Sequence, residues 1–378
     1  MSSPSPFDHE TPIRRVPETW LRRIRETDDA VVALFGIGGG CLVAGFALFL
    51  ANSTLAAIPL LGFLGAIAYG WRAHEPVTAR ALTFLATAST ILILGLIAVF
   101  VIYEALPVFQ LMGMKLFGFT EPVEVLGVQV LPGVESYWDT RAHVYSMIPM
   151  IYGTLVTTLI ATAIAAPLGI AAALFLAEIA PPIVRETVKP GVEILAGIPS
   201  IVYGYLGFVT LNSFLYENLE MANLGSLFLV GLVIGVMALP TVTSVAEDAL
   251  TSVPASMRDG AIALGSTEWQ TMKSITLPAA LSGVSAAVLL GIGRAVGETM
   301  AATVILGHSQ RLPDPLQDVF DNTETLTSLI ASQYGNAEGT HMSALFVAGV
   351  VLFVTVLVLS VGARRVELRM ERKLGGQE

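Results

Sequence analysis

Eight long apolar runs divide the 378-residue chain, at 31–50, 55–71, 81–105, 148–177, 192–212, 225–246, 282–305 and 343–363. Each is about the length a helix needs to cross ~30 Å of hydrocarbon at ~1.5 Å per residue. Backbone groups in a bilayer find no water to bond, so such runs must satisfy themselves as helices. The first two runs are separated only by Asn52, Ser53 and Thr54, which predicts a tight hairpin, although the second run is short and contains Pro59. Composition supports the membrane reading: 54% of residues are hydrophobic and 13% charged, against about a quarter charged in an ordinary soluble protein. The first run begins after some thirty mostly polar residues and is as long as a full span, which argues against a cleaved signal peptide. A net charge of −10 excludes the basic footprint of a nucleic-acid binder. The single Cys41 allows neither an internal disulfide nor a cysteine-built metal site, so no metal ligand set is expected.

Basic residues set the expected orientation, since Lys and Arg are retained on the cytoplasmic side. With the N-terminus inside, sixteen of them fall in inner segments: Arg14, Arg15, Arg22, Arg23, Arg25, Arg72, Arg80, Arg185, Lys189, Arg258, Lys273, Arg364, Arg365, Arg369, Arg372 and Lys373. Only Lys115, Arg141 and Arg311 fall outside, and Arg294 lies within a span. This asymmetry predicts eight spans with both termini cytoplasmic. Trp20, Leu21 and Ile24, interleaved with Arg22, Arg23 and Arg25, suit an interfacial helix against anionic headgroups or a disordered basic tail. The outer segments 106–147 and 306–341 carry Glu121, Glu124, Glu135, Asp139, Asp314, Asp318, Asp321 and Glu324, and read as solvated, partly flexible loops or as a docking surface. Glu178, Glu193, Glu247 and Asp248 read as interfacial residues at cytoplasmic span ends.

The longest inner loop, 247–281, has the signals of a built element. Pro254 and Gly265 frame a helix over 255–264. Thr267 and Gln270 have the form of a capping box opening a second helix, expected to run to about Thr276 and stop before Pro278. In the seventh run, Arg294 lies near mid-membrane, where an arginine costs about 3 kcal/mol to insert. Glu298 follows one helical turn later, on the expected same face and within pairing reach. The pair reads as part of a solute pathway or as an ion pair that fixes helix packing. Arginine stays protonated and presents a planar fork that grips tetrahedral oxyanions, so the pathway reading favours phosphate or sulfate. Pro167 and Pro199 should kink their spans, with Ser200 and Tyr203 beside the second kink as candidate lining groups.

Three sets of residues carry a family resemblance. Asp259-Gly260-Ala261, then Gly265, then Ile275-x-Leu277-Pro278 is similar to the E-A-A-x3-G-x9-I-x-L-P loop of ABC importer permeases, with Asp259 and Gly260 departing from Glu and Ala. The run 291–300 (GIGRAVGETM), with 194–204 (ILAGIPSIVYG) and 151–155 (IYGTL), resembles the PstC family, the permease subunits of the phosphate-specific ABC importer. The likeness extends from about Ala81 to the C-terminus. It implies an all-α, polytopic type I transport domain of six core helices, to which the 31–72 hairpin is an addition. On that reading, 1–30 is a cytoplasmic tail, 73–147 the first core span with its external loop, 148–366 the transport domain and 367–378 a second tail. The resemblance also implies a PstA-like second permease and a PstB-like ATPase dimer that carries ATP and Mg and is seated on the 247–281 loop. An external phosphate-binding protein completes the expected assembly. Arg294 and Glu298 are the implied pathway residues. This chain carries no G-x4-G-K-[ST] phosphate loop, and its histidines, His9, His74, His143, His308 and His341, form no H-E-x-x-H pattern. It is therefore expected to be a permease without a catalytic site or a cofactor of its own. The alternatives are a permease for another oxyanion, or a membrane scaffold or sensor of phosphate supply.

Overall fold

The computed structural model describes residues 29–125, 128–219 and 224–375. The proposed interfacial helix around Trp20–Arg25 lies outside them. The chain divides into two compact units, Met1–Ile97 and Ala98–Glu378.

The first unit holds α1 (Asp29–Leu50), α2 (Ala57–Ala73) and the beginning of α3 (Glu75–Met112). The expected hairpin is present. Asn52 takes a left-handed conformation (φ 53°), and the Ser53 hydroxyl accepts from the Leu55 amide to open a short turn into α2. Helices α1 and α2 pack side by side.

In the second unit, two small hairpins follow the end of α3: β1 (Val123–Val125) with β2 (Val128–Leu131), and β3 (Trp138–Asp139) with β4 (Val144–Tyr145). The helical body comprises α4 (Ile148–Leu174), α5 (Pro182–Gly197), α6 (Ser200–Leu206), α7 (Ser213–Leu219) and α8 (Leu227–Thr251). The loop helices α9 (Ala255–Ala263), α10 (Glu268–Thr271) and α11 (Leu277–Ala279) precede α12 (Leu281–Val296), α13 (Met300–Ile305), α14 (Leu326–Gln333) and α15 (Thr340–Gly375). Helices α4 and α8 form the central pair, and α12 packs across both. Small side chains such as Ala161, Ala165 and Ala238 lie buried in this contact, where close backbone approach supplies the dispersion that lipid cannot. Buried Thr154, Thr157 and Thr158 donate back to carbonyls of their own helix, so their hydroxyls are not stranded in apolar surroundings.

Among the described residues, five helices are long and apolar enough to cross a membrane, or up to seven if each of two bent pairs is one span. Seven of the eight expected spans correspond to these helices and bent pairs, the 31–50 run is represented only by the shorter apolar helix Gly36–Leu50, and two of the runs are interrupted. The 192–212 run is not a single rod: α5 ends at Gly197, and the pair 182–197 and 200–218 bends by 88°. Pro199 offers no amide to the Leu195 carbonyl, and the helix stops there. The 282–305 run stops at Val296 and restarts at Met300. By contrast, Pro167 is accommodated inside α4.

The two long segments read as solvated, partly flexible loops or as a docking surface carry defined structure over their described residues. In 306–341, residues 321–329 are all buried. The fully buried Glu324 carboxylate lies within hydrogen-bond distance of His308 Nδ1 at 3.0 Å and accepts from Gln310 Nε2 and Ser332 Oγ, each at 2.7 Å. Asp321 pairs with Arg311 at 3.1 Å. In 106–147, the Trp138 and Tyr145 rings meet edge-on at 4.9 Å, and Tyr145 stacks on His341 at 6.4 Å, which ties the second hairpin to the start of α15. Asp139 serves the turn: the amides of Ala142 and Arg141 bond its carboxylate and hold it below its ordinary pKa. These acids are structural because a buried or turn-forming carboxylate that accepts several donors replaces its lost hydration.

Removing one member of such a buried cluster strands the others. Glu324→Ala should destabilise the protein by about 3 kcal/mol, read as a lowered Tm in detergent together with new protease cleavage between residues 306 and 325.

Candidate translocation site

The interruption between α12 and α13 is where the charged residues of the seventh run sit. Gly297 (φ −86°, ψ −2°) and Thr299 (φ −110°, ψ −57°) carry the chain out of regular helix. Arg294, in the last turn of α12, is half-buried, and its Nε finds no hydrogen-bond partner among the described residues. The expected ion pair with Glu298 is absent: no guanidinium nitrogen of Arg294 lies within 4 Å of a Glu298 carboxylate oxygen. The reason is local. The one-turn spacing that would align the two side chains exists only in an unbroken helix, and after the break Glu298 turns forward. Its Oε1 accepts from the Ala301 amide at 3.2 Å and caps α13. The positive end of a helix suits a carboxylate.

Other elements close around this break. The Glu298 carbonyl accepts from Thr327 Oγ1 at 2.8 Å, bringing in the start of α14. Thr325 and Ser328 close a reciprocal cap on α14, and the Leu326 amide donates to Thr154 Oγ1 of α4 at 3.0 Å. A layer of hydroxyls therefore borders the Arg294–Thr299 segment. Hydropathy reading missed it because 306–341 scored as a loop, although the Thr-x-x-Ser cap at 325–328 was a local signal.

Helix α6 lies on the other side. A Cβ at Gly204 would stand 2.8 Å from Ala301 Cα, so only glycine lets α6 sit directly on α13. Ser200, half-buried, opens α6. The Tyr203 hydroxyl donates to the Leu195 carbonyl at 3.0 Å, the group that Pro199 leaves short of a donor. Tyr203 packs at the edge of the buried cluster that includes Val233, Ala301 and Ile305. Tyr203 is thus brought against the helix that follows Glu298, with its hydroxyl engaged in the corner, and Ser200 stands at the start of the same short helix.

The 247–281 loop forms much as expected. Gly265 (φ 91°) donates to Ile262 and Ser266 donates to Ala261, a Schellman close that needs a left-handed residue. The Thr267–Gln270 capping box is complete. One boundary differs. The second helix does not stop before Pro278, because a wide turn at 272–276 carries the chain through it into α11, and a 71° bend leads into α12. The motif has two faces. Asp259 and Gly260 are exposed and Ala261 half-exposed, beside Leu264 at 90% and Trp269 at 65% exposure. Ile275, Leu277 and Pro278 are half-buried, with Leu277 packed on the cluster of Val242, Ala246 and Val284. One half anchors the loop to the body and the other faces outward.

Residues 166–372 match the family described as the binding-protein-dependent transport system inner membrane component. The chain belongs to this family. It is 36% identical over 279 residues to a phosphate transport system permease protein PstC of Xylella fastidiosa, covering 69% of this chain and 85% of the relative. It is 33% identical over 296 residues to the protein of the same name in Pasteurella multocida, covering 73% and 91%. The crystal structure of a bacterial alginate ABC transporter in complex with an alginate pentasaccharide-bound periplasmic protein has a similar fold, with a TM-score of 0.51 at 16% identity, covering 80% of this chain and 98% of that one. The protein is therefore an all-α, multi-pass membrane permease of the ABC importer type.

A side chain at position 265 would be forced into the left-handed region, although no neighbouring atom blocks it. Gly265→Ala should cost about 1 kcal/mol through the backbone alone, seen as a small loss of thermal stability with the bundle otherwise unchanged.

Proposed function

We propose that this permease moves inorganic phosphate into the cell as one subunit of an ATP-driven importer. The observation that carries the reading is the Arg294 guanidinium beside a helix break, its Nε without a partner among the described residues. An arginine left without its carboxylate in an apolar bundle keeps its donors for a ligand, and its fork matches a tetrahedral oxyanion. Glu298, committed to capping α13, stands close in sequence without neutralising Arg294. The relatives named as phosphate permeases support the choice of cargo.

The rest of the machine follows from the same reading. With both termini inside, the exposed face of the 247–281 loop (Asp259, Gly260, Ala261, Gly265) meets a PstB-like ATPase dimer that binds ATP and Mg. Ile275, Leu277 and Pro278 hold the loop to the bundle. A PstA-like permease completes the passage, and an external phosphate-binding protein delivers cargo. ATP closes the ATPase dimer, the loop helices are displaced, and α12 and α13 change their relation at Gly297. Phosphate then passes Arg294.

Arg294→Ala, correctly inserted and reconstituted with its partners, should reduce uptake of labelled phosphate about 10- to 100-fold, the scale of losing a charged hydrogen-bond donor pair. Arg294→Lys should recover part of it, since the charge stays and the fork is lost. Unchanged uptake in the alanine variant overturns the assignment. Preference for sulfate in the wild type would identify another oxyanion permease, and phosphate-responsive ATP turnover without uptake would identify a sensor.

A further inference from the structure

Two charge clusters lie beside the α9–α11 loop, outside both the loop motif and the Arg294 segment. In the first, Arg258 of α9 pairs with Glu178 at 3.2 Å and donates to the Leu250 carbonyl at 2.7 Å, fastening the loop to the ends of α4 and α8. In the second, Glu247 in the last two turns of α8 is 1% exposed, and its carboxylate receives both Arg185 and Lys189 of α5. Lys189 also bonds Asp248 at 2.9 Å. Glu247 is therefore no interfacial acid, as its position at a span end had suggested, but a buried one held by two cations.

The second cluster matters because of what α5 lacks. None of its sixteen residues is buried, so apolar packing alone does not fix its angle to α8. Arg185 and Lys189 stand one turn apart on one face of α5 and grip a single carboxylate. That geometry specifies both position and rotation, whereas an apolar contact of equal stability would allow sliding. Beyond α5 the chain turns at Ile198–Pro199, held by Tyr203, into α6, and α6 rests through Gly204 on α13 next to Glu298.

We infer that Glu247 is a positioning residue that locks α5 to the end of α8, so that displacement of the α9–α11 loop is carried through α5 and α6 to the break beside Arg294. Arg258 delivers the loop's movement to α8. Glu247 passes it to α5, and the tyrosine-held corner turns it into a movement of α6 against α13. Helices α5 and α8 move as one body at this end.

This inference rests on the permease reading above, and two readouts separate the failure of one from the failure of the other. In the reconstituted full complex, Glu247→Gln should keep basal ATP hydrolysis while phosphate taken up per ATP falls about tenfold, within the usual range of coupling between sites. The second readout needs no cargo. Spin labels at Tyr205→Cys and Phe353→Cys, in a Cys41→Ser background, should report a distance change on trapping with ATP and vanadate, and Glu247→Gln should abolish it. The charge-reversed combination of Glu247→Lys, Asp248→Lys, Arg185→Glu and Lys189→Glu, which keeps two cations facing two acids, should restore both readouts. It also decides the matter if Glu247→Gln does not assemble with the ATPase. Full coupling in Glu247→Gln, or no recovery in the reversed combination, overturns the inference. A wild-type distance change without phosphate uptake would leave the lock standing and remove only the cargo assignment.

Discussion

A helix in hydrocarbon can be interrupted only where something else satisfies the backbone groups that the interruption frees. The two breaks in this bundle obey that constraint with different chemistry. At the first, Pro199 deprives the Leu195 carbonyl of its amide, and the Tyr203 hydroxyl and the Ile198 amide replace it. At the second, the Glu298 carboxylate takes the Ala301 amide, Thr327 donates to the Glu298 carbonyl, and Thr299 Oγ1 donates to the Gly297 carbonyl. Each repair recruits a side chain that is then unavailable for other work. That is why the carboxylate expected to neutralise Arg294 does not do so, and why the tyrosine expected to line a passage has its hydroxyl engaged in a corner.

The repairs also bring distant segments together. Gly204 seats α6 on α13, Thr327 brings α14 onto the break, and Thr154 joins α4 to α14. Four elements thus converge on the ten residues around Arg294. Among the described residues Arg294 keeps a donor without a partner, and its neighbours are occupied with backbone. A site for a transient anion benefits from this arrangement. A fixed counter-charge would compete with cargo, whereas hydroxyls and carbonyls already bonded to one another compete weakly.

Hydropathy and motif spacing made much of this legible. Apolar runs located nearly all of the long helices, and local chemistry located the loop helices: the Gly265 close and the Thr267 capping box appear where the residue types placed them. What hydropathy could not show was continuity. A run of apolar residues reads the same whether its helix is straight, bent by 88° at Pro199 or broken at Gly297. The residue types favour a kink, but the size of the bend depends on Tyr203, four residues away, and on Ala301, about a hundred away. Pairing of Arg294 with Glu298 failed for the same reason, since helical periodicity was applied across a break. The burial of Glu247 and Glu324 was also hidden, because a carboxylate's partners are set by tertiary contact and acids at span ends are usually exposed.

That last point bears on how an acidic chain could pass an anion. The segments expected to face outward hold many carboxylates, which taken as free charges would repel phosphate at the mouth. Four of them are committed: Asp139 to the amides of its turn, Asp318 to the Phe320 amide, Asp321 to Arg311, and Glu324 to Gln310 and Ser332 beside His308. A carboxylate paired with a cation, as Asp321 is with Arg311, has much of its field cancelled within a few ångströms, donor dipoles soften the others locally, and what remains is screened by salt over about 10 Å. The acids that hold these segments in shape therefore contribute less to the potential around them than their number suggests. Arg294, partly buried in a low-dielectric bundle and without a partner among the described residues, acts over the same distances with little screening. Among the described residues Arg294 is a half-buried cation with an unbonded donor, and the net charge of −10 describes the chain without describing the surroundings of that residue.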